Sequence, residues 1–241
     1  MTGADVRRAW RDLPLAGLEA VTAGPPLVLA PHPDDESLGC GGLIAASVAA
    51  GTPALVAILT DGTGSHPHSR RFPPSALRDL RETEAREAAA ALGLPADRIE
   101  FLRLRDTAAP SAGTDFEHAV ERVAELARRR GCTTLCTTWQ HDPHGDHAAA
   151  HAIGVAAAAR AGVRLWVYPV WGWALAEDAW LPDAPMRGVR LDIAASLPAK
   201  RAAIAAHASQ HGQVIDDDPG GFILPADLLA LFDQPFEVFL E

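Results

Sequence analysis

Short apolar runs alternate with longer amphipathic stretches along the first 170 residues. Five runs have the length and composition of strands: 26–30 (PLVLA), 54–60 (ALVAILT), 99–104 (IEFLRL), 133–138 (TTLCTT) and 164–170 (RLWVYPV). Between them, helical periodicity and good helix formers predict helices at about 38–50, 76–92, 115–130 and 146–161. This alternation is typical of βαβ units joined by right-handed crossovers. It predicts an α/β, Rossmann-like three-layer fold with a mostly parallel sheet.

The pattern weakens after residue 170. A Trp- and Pro-rich stretch precedes a short Ala-rich helix near 198–207 and an apolar tail at 222–232, to which the pattern assigns no partner. No internal repeat, Ser/Gly-rich linker or charge block divides the chain, and its length suffices for one sizeable core. We therefore expect a single domain spanning residues 1–241.

Composition and charge limit the classes of partner. The chain has 31 acidic and 21 basic residues, a formal charge of −10 at pH 7, and 48% hydrophobic residues. An acidic protein is disfavoured as a partner of nucleic acid, because that binding relies on neutralising phosphates. The N-terminal stretch lacks the apolar core of a secretory signal, and no run approaches the ~20 apolar residues of a membrane span. We expect a cytoplasmic protein without a membrane segment.

Three cysteines form too sparse and odd a set for a disulfide framework. Cys132 and Cys136 lie four residues apart near the fourth predicted strand, so both would face the same side. That arrangement suits a metal, but two buried thiols are the favoured interpretation.

Two polar clusters stand out against this pattern. The first, His32 to Glu36, follows the first predicted strand, and the second, His141 to His151, follows the fourth. In the common strand order 3-2-1-4-5, ligands bind at the carboxyl ends of strands 1 and 4, where the order reverses. The order therefore predicts that these two distant segments converge on one crevice.

The residue types in these clusters favour a metal site. Histidine nitrogens and carboxylate oxygens without thiolate suit Zn²⁺ or a similar divalent metal, and a catalytic zinc keeps three protein ligands. His32, Asp35 and one histidine of the second cluster would complete that set. The structural alternative is that these residues only cap helices or lie on the polar surface. A dinucleotide site is rejected, because the glycines at 39–42 lack the third glycine of the fingerprint and acidic groups precede them.

With both clusters in view, the chain resembles the PIG-L/LmbE-like family of metal-dependent N-acetylglucosaminyl deacetylases. The resemblance rests on PHPDDESLGCGG after the first strand, TDG at 60–62, Arg81 to Glu84 leading to ALG at 91–93, HGDHAAAH at 144–151 and KRAAIAAHASQ at 200–210. These motifs cover about residues 30 to 210 in the family's order. The resemblance implies an enzyme that hydrolyses an amide with a bound metal.

The family pattern implies a role for each matching residue. It makes His32, Asp35 and His147 the ligands of Zn²⁺ or another divalent metal. It makes Asp34 the general base and His144 the charged histidine that faces the substrate carbonyl. Asp146 is expected to hold His144 charged and oriented, and His151 is left outside the ligand set.

Other candidates carry open alternatives. Arg81 lies on an amphipathic helix whose charges would ordinarily be solvated, although the family pattern raises the odds that it reaches the substrate. Trp171 and Trp173 are candidate substrate contacts, and core packing is the alternative. His66 and His68 lie in a Gly/Pro-rich loop, where solvated side chains are favoured over a second metal site.

The sequence therefore predicts a zinc-dependent hydrolase that removes an N-acetyl group from an N-acetylglucosamine-like unit of a small-molecule conjugate. A metal-dependent amidase on a non-sugar amide or a longer N-acyl group is the nearest alternative. A binding protein with a vestigial metal is disfavoured, because Asp34 and His144 are present although neither is needed to hold a metal. The sequence leaves the oligomeric state open.

Overall fold

The computed structural model describes residues 1–182 and 187–241 and contains one eight-stranded sheet. Its strands are β1 (Leu15–Ala16), β2 (Pro26–Ala30), β3 (Leu55–Thr60), β4 (Ile99–Leu104), β5 (Thr134–Thr138), β6 (Arg164–Tyr168), β7 (Gly188–Asp192) and β8 (Phe236–Leu240). Its helices are α1 (Gly3–Asp12), α2 (Leu18–Val21), α3 (Asp35–Ala49), α4 (Pro74–Ala91), α5 (Gly113–Arg129), α6 (Gly145–Ala161), α7 (Leu197–Ala206) and α8 (Ala226–Leu231). Within these residues no helix is both long and apolar enough to cross a membrane.

The order of the central strands follows the prediction. The sheet runs β1-β7-β8-β6-β5-β2-β3-β4, and its five predicted strands, β2 to β6, pair in parallel with one another. Counted along the chain, those five have the expected order 3-2-1-4-5. Because β2 and β5 are neighbours, with Val28 opposite Cys136, their carboxyl ends open on the same crevice. The α/β fold with a mostly parallel sheet is confirmed.

The other edge of the sheet was not predicted. Strand β8 pairs antiparallel with both β6 and β7, and the two-residue β1 pairs with β7. The apolar tail forms α8 over part of its length, and β8 begins only after it. This edge escaped prediction because β8 finds its partners far away along the chain, and local pattern carries no record of that pairing.

Two apolar clusters sandwich the sheet. Alternate residues of β2 divide between them: Val28 packs with α3, α4 and α7, whereas Leu27 packs with α5 and α6. Burial on both faces is the usual condition of a parallel sheet. Cys136 belongs to the first cluster, but Cys132 precedes β5 and belongs to the second. The expectation that both thiols face one side is therefore wrong, and both are buried.

Helix α3, which begins at the crevice, is held tightly to the sheet. A Cβ atom on Gly39 would lie 2.2 Å from the ring of Tyr168, so only glycine permits this close approach. On β8, the buried carboxylate of Glu237 accepts hydrogen bonds from two backbone N–H groups of α3 at 2.7 and 2.9 Å. The same carboxylate pairs with the buried ammonium of Lys200 at 2.7 Å. These contacts fix the position of α3 and of the residues at its start.

Candidate active site

The turn between β2 and α3 brings together the first two candidate ligands. Asp35 Oδ2 accepts a hydrogen bond from the backbone N–H of His32 at 3.0 Å and lies 3.2 Å from Nδ1 of the His32 ring. The three-residue spacing works because the chain reverses here: the strand has ended and α3 starts at Asp35. Both side chains therefore face the crevice from one short segment.

The third candidate ligand comes from the start of α6. Nε2 of His147 lies 3.3 Å from Oδ2 of Asp35. Nδ1 of the same ring lies 2.9 Å from Oδ2 of Asp142, whose carboxylate also accepts backbone N–H groups of residues 170–172. Because Asp142 accepts a hydrogen bond from Nδ1–H, the lone pair of the neutral ring is left on Nε2, facing Asp35.

Two of the distances among these residues suit a divalent metal, and His32 and His147 also form, with His144, one of the described sets of three whose ligand atoms lie within 4.8 Å of one another. Ligand atoms on a tetrahedral zinc with bonds of about 2.0–2.1 Å lie about 3.3–3.4 Å apart, and both candidate nitrogens lie 3.2–3.3 Å from Asp35 Oδ2. Among the described residues, Nε2 of His147 has no hydrogen-bond partner although it is buried. Burial would lower the pKa of His147, but the charge of Asp35 and the bond to Asp142 raise it to about 9. The site therefore favours positive charge on this ring, as a proton or as a bound cation.

The opposite nitrogen of His32 meets two carboxylates. Nε2 lies 3.1 Å from Oδ2 of Asp146 and 3.2 Å from Oδ1 of Asp106. Asp146 also accepts the backbone N–H groups of Thr107 and Ala109, and Asp106 accepts that of Gly64. His32, Asp106 and Asp146 could themselves hold an ion, but backbone donors already engage both carboxylates. We assign them the orientation of the His32 ring.

The contacts of Asp146 correct the role expected for it. Its carboxylate contacts His32, not the ring of His144. His144 is instead the N-cap of α6, where its Nδ1 accepts the backbone N–H of Asp146 at 3.2 Å. Burial and the nearby His32 and His147 lower the pKa of His144. Because Nδ1 accepts the N–H of Asp146, the proton of a neutral ring lies on Nε2, and a charged His144 that faces the substrate stays a prediction.

Asp34 lies between the candidate ligands of the turn and faces a cation. Nη2 of Arg81 donates to Oδ2 of Asp34 at 3.1 Å and to the carbonyl of Pro33 at 2.6 Å, while Nη1 donates to the carbonyl of Gly62. Burial raises the pKa of Asp34 to about 6, even though Arg81 opposes this shift. The carboxyl group can thus accept or release a proton near neutral pH.

A cavity of about 230 Å³ opens beside these groups. Its lining includes His32, Asp34, Asp35, Arg81, Asp106 and His144 on the polar side and Trp171, Phe222 and Leu224 on the apolar side. Trp171 therefore lies where a substrate contact was expected. Trp173 is not among the described lining residues: its ring packs edge-on against Trp10 at 5.0 Å. The expectation of a substrate contact at Trp173 is wrong, because its side chain belongs to the core.

The remaining histidines lie outside this group. His66 is buried beside Ser65, and His68 is exposed. Within residues 1–182 and 187–241 neither belongs to a set of three that could hold an ion. Nδ1 of His151 contacts the carbonyl of Thr138 at 3.0 Å, and His151 belongs to neither of the described sets of three.

Sequence reasoning did not single out Asp106. Asp106 is a carboxylate just beyond the third predicted strand, which is the feature that could have identified it. That strand lies two positions along the sheet from the first, so no contact with the crevice was expected. The loop after β4 places Asp106 beside His32, which follows β2, although β3 lies between these two strands in the sheet.

The fold and this cluster define an α/β protein with a His/Asp site suited to a divalent metal. The family model described as PIG-L, GlcNAc-PI de-N-acetylase, matches residues 27–158, more than half of the chain. The chain therefore belongs to the PIG-L family of metal-dependent N-deacetylases, which confirms the resemblance drawn from its motifs.

Solved structures agree with this fold. A conserved protein, TT1542, from Thermus thermophilus is 27% identical, with 90% of this chain and 93% of that one covered and a TM-score of 0.63. N,N′-diacetylchitobiose deacetylase from Pyrococcus horikoshii is 19% identical, with 94% and 76% covered and a TM-score of 0.61. The 4-carboxy-2-hydroxymuconate hydratase GalB from Pseudomonas putida is 24% identical, with 79% and 81% covered and a TM-score of 0.58. No protein of curated function matches the chain in sequence.

Proposed function

We propose that this protein is a zinc-dependent hydrolase that removes the N-acetyl group from an N-acetylglucosamine-like unit of a small conjugate, releasing acetate and a free amine. The observation that carries the proposal is the position of Asp34. This carboxylate is buried at the cavity beside three candidate ligands, and it pairs with Arg81 instead of joining them. A site that only stored a metal would not need it.

His32, through Nδ1, Asp35, through Oδ2, and His147, through Nε2, are the residues we assign to the metal. When bound, a divalent cation supplies Lewis acidity, activating water and polarising the amide carbonyl. Asp142 and Asp146 keep the two rings in the required orientation from behind.

Asp34 serves as the general base in this proposal. Arg81 occupies Oδ2, so Oδ1 is the oxygen that we assign to the proton of the attacking water. With its pKa raised to about 6, the carboxylate is ionised at neutral pH yet basic enough to hold that proton. The same group can then deliver the proton to the departing amine nitrogen.

His144 is assigned to the oxyanion that forms on the amide carbonyl. Its Nδ1 is already engaged by the helix, so Nε2–H is the donor available to the cavity. An imidazole N–H that is fixed in advance can stabilise developing negative charge, and losing one such donor costs roughly 10²–10³ in turnover.

The acyl and sugar preferences follow from family membership and from the two-sided cavity. Arg81 provides a positive charge on the polar side of the cavity, whereas Trp171 and Phe222, whose rings lie 5.8 Å apart, provide an apolar wall. The same wall is the reason to keep a second candidate, an amidase for a non-sugar amide or a longer acyl chain.

The test is the release of free amine from a panel of N-acylated glucosamines and non-sugar amides. Chelator-stripped protein, zinc-reconstituted protein and the reconstituted Asp34→Asn variant are compared. We expect activity to return with zinc and to fall by roughly 10²–10⁴ in the variant. Hydrolysis of only non-sugar amides would select the second candidate. Full activity of the variant would refute the role of Asp34.

A further inference from the structure

The backbone of Asp34 is held in a conformation that L-amino acids avoid. Its φ is 150° and its ψ is −29°. Asp34 occupies the N-cap position of α3. The structure describes the whole of this helix, and the Asp34 side chain accepts no hydrogen bond from it. An aspartate at this position normally turns its carboxylate toward the first N–H groups of the helix. Here Asp34 lines the cavity instead.

Such a conformation persists only when contacts with neighbouring groups hold it in place. Glu36 is the first of these groups. Its Oε2 accepts the backbone N–H of Asp34 at 3.0 Å. The bond fixes the peptide group on the N-terminal side of Asp34, which is the group that sets its φ. Glu36 is only 2% exposed, so water does not compete for this bond.

The other carboxylate oxygen of Glu36 is itself anchored. Oε1 accepts the hydroxyl of Ser37 at 2.8 Å and lies 3.1 Å from Nε2 of His207. His207 comes from the end of α7, far along the chain, and is also buried. The anchor therefore ties the start of α3 to α7 through a chain of hydrogen bonds that ends at the Asp34 backbone.

We propose that Glu36 and His207 are positioning residues that hold Asp34 in its strained conformation, so that its carboxylate faces the substrate instead of capping α3. The proposal rests on the role of Asp34 as the general base. Neither residue contacts the candidate ligands through its side chain in the hydrogen bonds described. Their loss should therefore affect proton transfer and leave metal binding intact.

The primary variant is Glu36→Met, which keeps the length of the side chain and removes both acceptors. Asp34 can then relax toward an ordinary N-cap geometry. A displacement of about 1 Å at a reacting group can cost on the order of 10²-fold, so we expect kcat to fall roughly 10- to 100-fold. KM and the zinc affinity, measured by competition with a chromogenic chelator, should change less than about threefold. Glu36→Gln keeps one acceptor for the Asp34 N–H and should restore most of the loss.

A matched control separates positioning from damage to the fold. Glu237→Gln also alters a buried carboxylate that accepts N–H groups of α3, but away from Asp34. We expect it to lower the unfolding temperature without changing kcat in the folded protein. If Glu36→Met does not fold, His207→Leu provides the same test from the other end of the anchor, with a smaller fall in kcat expected.

The decisive measurement repeats Glu36→Met in the Asp34→Asn background. A residue that acts through Asp34 should have no further effect once that carboxylate is gone, so the two losses should not multiply. Multiplying losses, or a full kcat in Glu36→Met and His207→Leu, would overturn the positioning role while leaving Asp34 as the base. If Asp34→Asn alone keeps full activity, the proposed function fails, and the positioning proposal fails with it.

Discussion

Replacing Lys200 with methionine tests how much the buried ion pair between α7 and β8 contributes to stability. Lys200 and Glu237 are 2% and 4% exposed, and Nζ lies 2.7 Å from Oε1. Methionine preserves most of the side-chain volume, so the change removes the charge with little cavity. Among the described residues, Glu237 would then keep the two N–H groups of α3 as partners and remain buried as an anion.

Removing one partner of a buried pair typically costs 3–5 kcal/mol, because the other charge loses its compensation. The two remaining N–H bonds place the expected cost at the lower end, about 3 kcal/mol in the free energy of unfolding. Urea unfolding at pH 7, followed by circular dichroism, measures this value and shows whether the slope stays constant.

A double-mutant cycle with Glu237→Gln provides the control. Once the carboxylate is neutral, Lys200→Met should cost less, with a coupling of about 2 kcal/mol. An equal cost in both backgrounds, or a cost below about 1 kcal/mol in the original protein, would refute the reasoning that the pair stabilises the fold.

Three further predictions address the site and its support. Asp142→Asn should weaken zinc binding roughly 10- to 100-fold, because the amide no longer fixes the ring of His147 through Nδ1. Chelator competition measures the change, and an unchanged zinc affinity would contradict the tautomer assigned to His147. Trp171→Ala should raise KM without lowering stability, whereas Trp173→Ala should cost about 3–5 kcal/mol in urea unfolding with KM unchanged in the folded protein. Gly39→Ala should lower the unfolding temperature, because the new Cβ meets the tyrosine ring of β6, while Gly145→Ala, with open space around it, should leave that temperature nearly unchanged. Equal effects of the two alanines would argue against the close packing of α3.

The predicted part of the fold is the part whose signals are local. Strands β2 to β6 are recognisable in the sequence as apolar runs between helices, and the helical crossovers between them imply that the strands are parallel. Strands β7 and β8 do not, because β8 is an antiparallel strand inserted between neighbours that are distant in sequence. The same limit applies to Trp171 and Trp173, two residues apart in one turn, which the fold assigns to the cavity and to the core.

The sequence by itself determined that His32 to Asp35 and His144 to His147 share one crevice, since each segment follows a strand that ends at the switch point of a parallel sheet. Short-range geometry sufficed for the three-residue turn that joins His32 to Asp35. Only the tertiary structure decided which groups orient these side chains: Asp106 on His32, Asp142 on His147, and Glu36 with His207 on the backbone of Asp34. Hydrogen bonds are directional and act over about 3 Å, so partners from separate elements are chosen by packing, which no local pattern records.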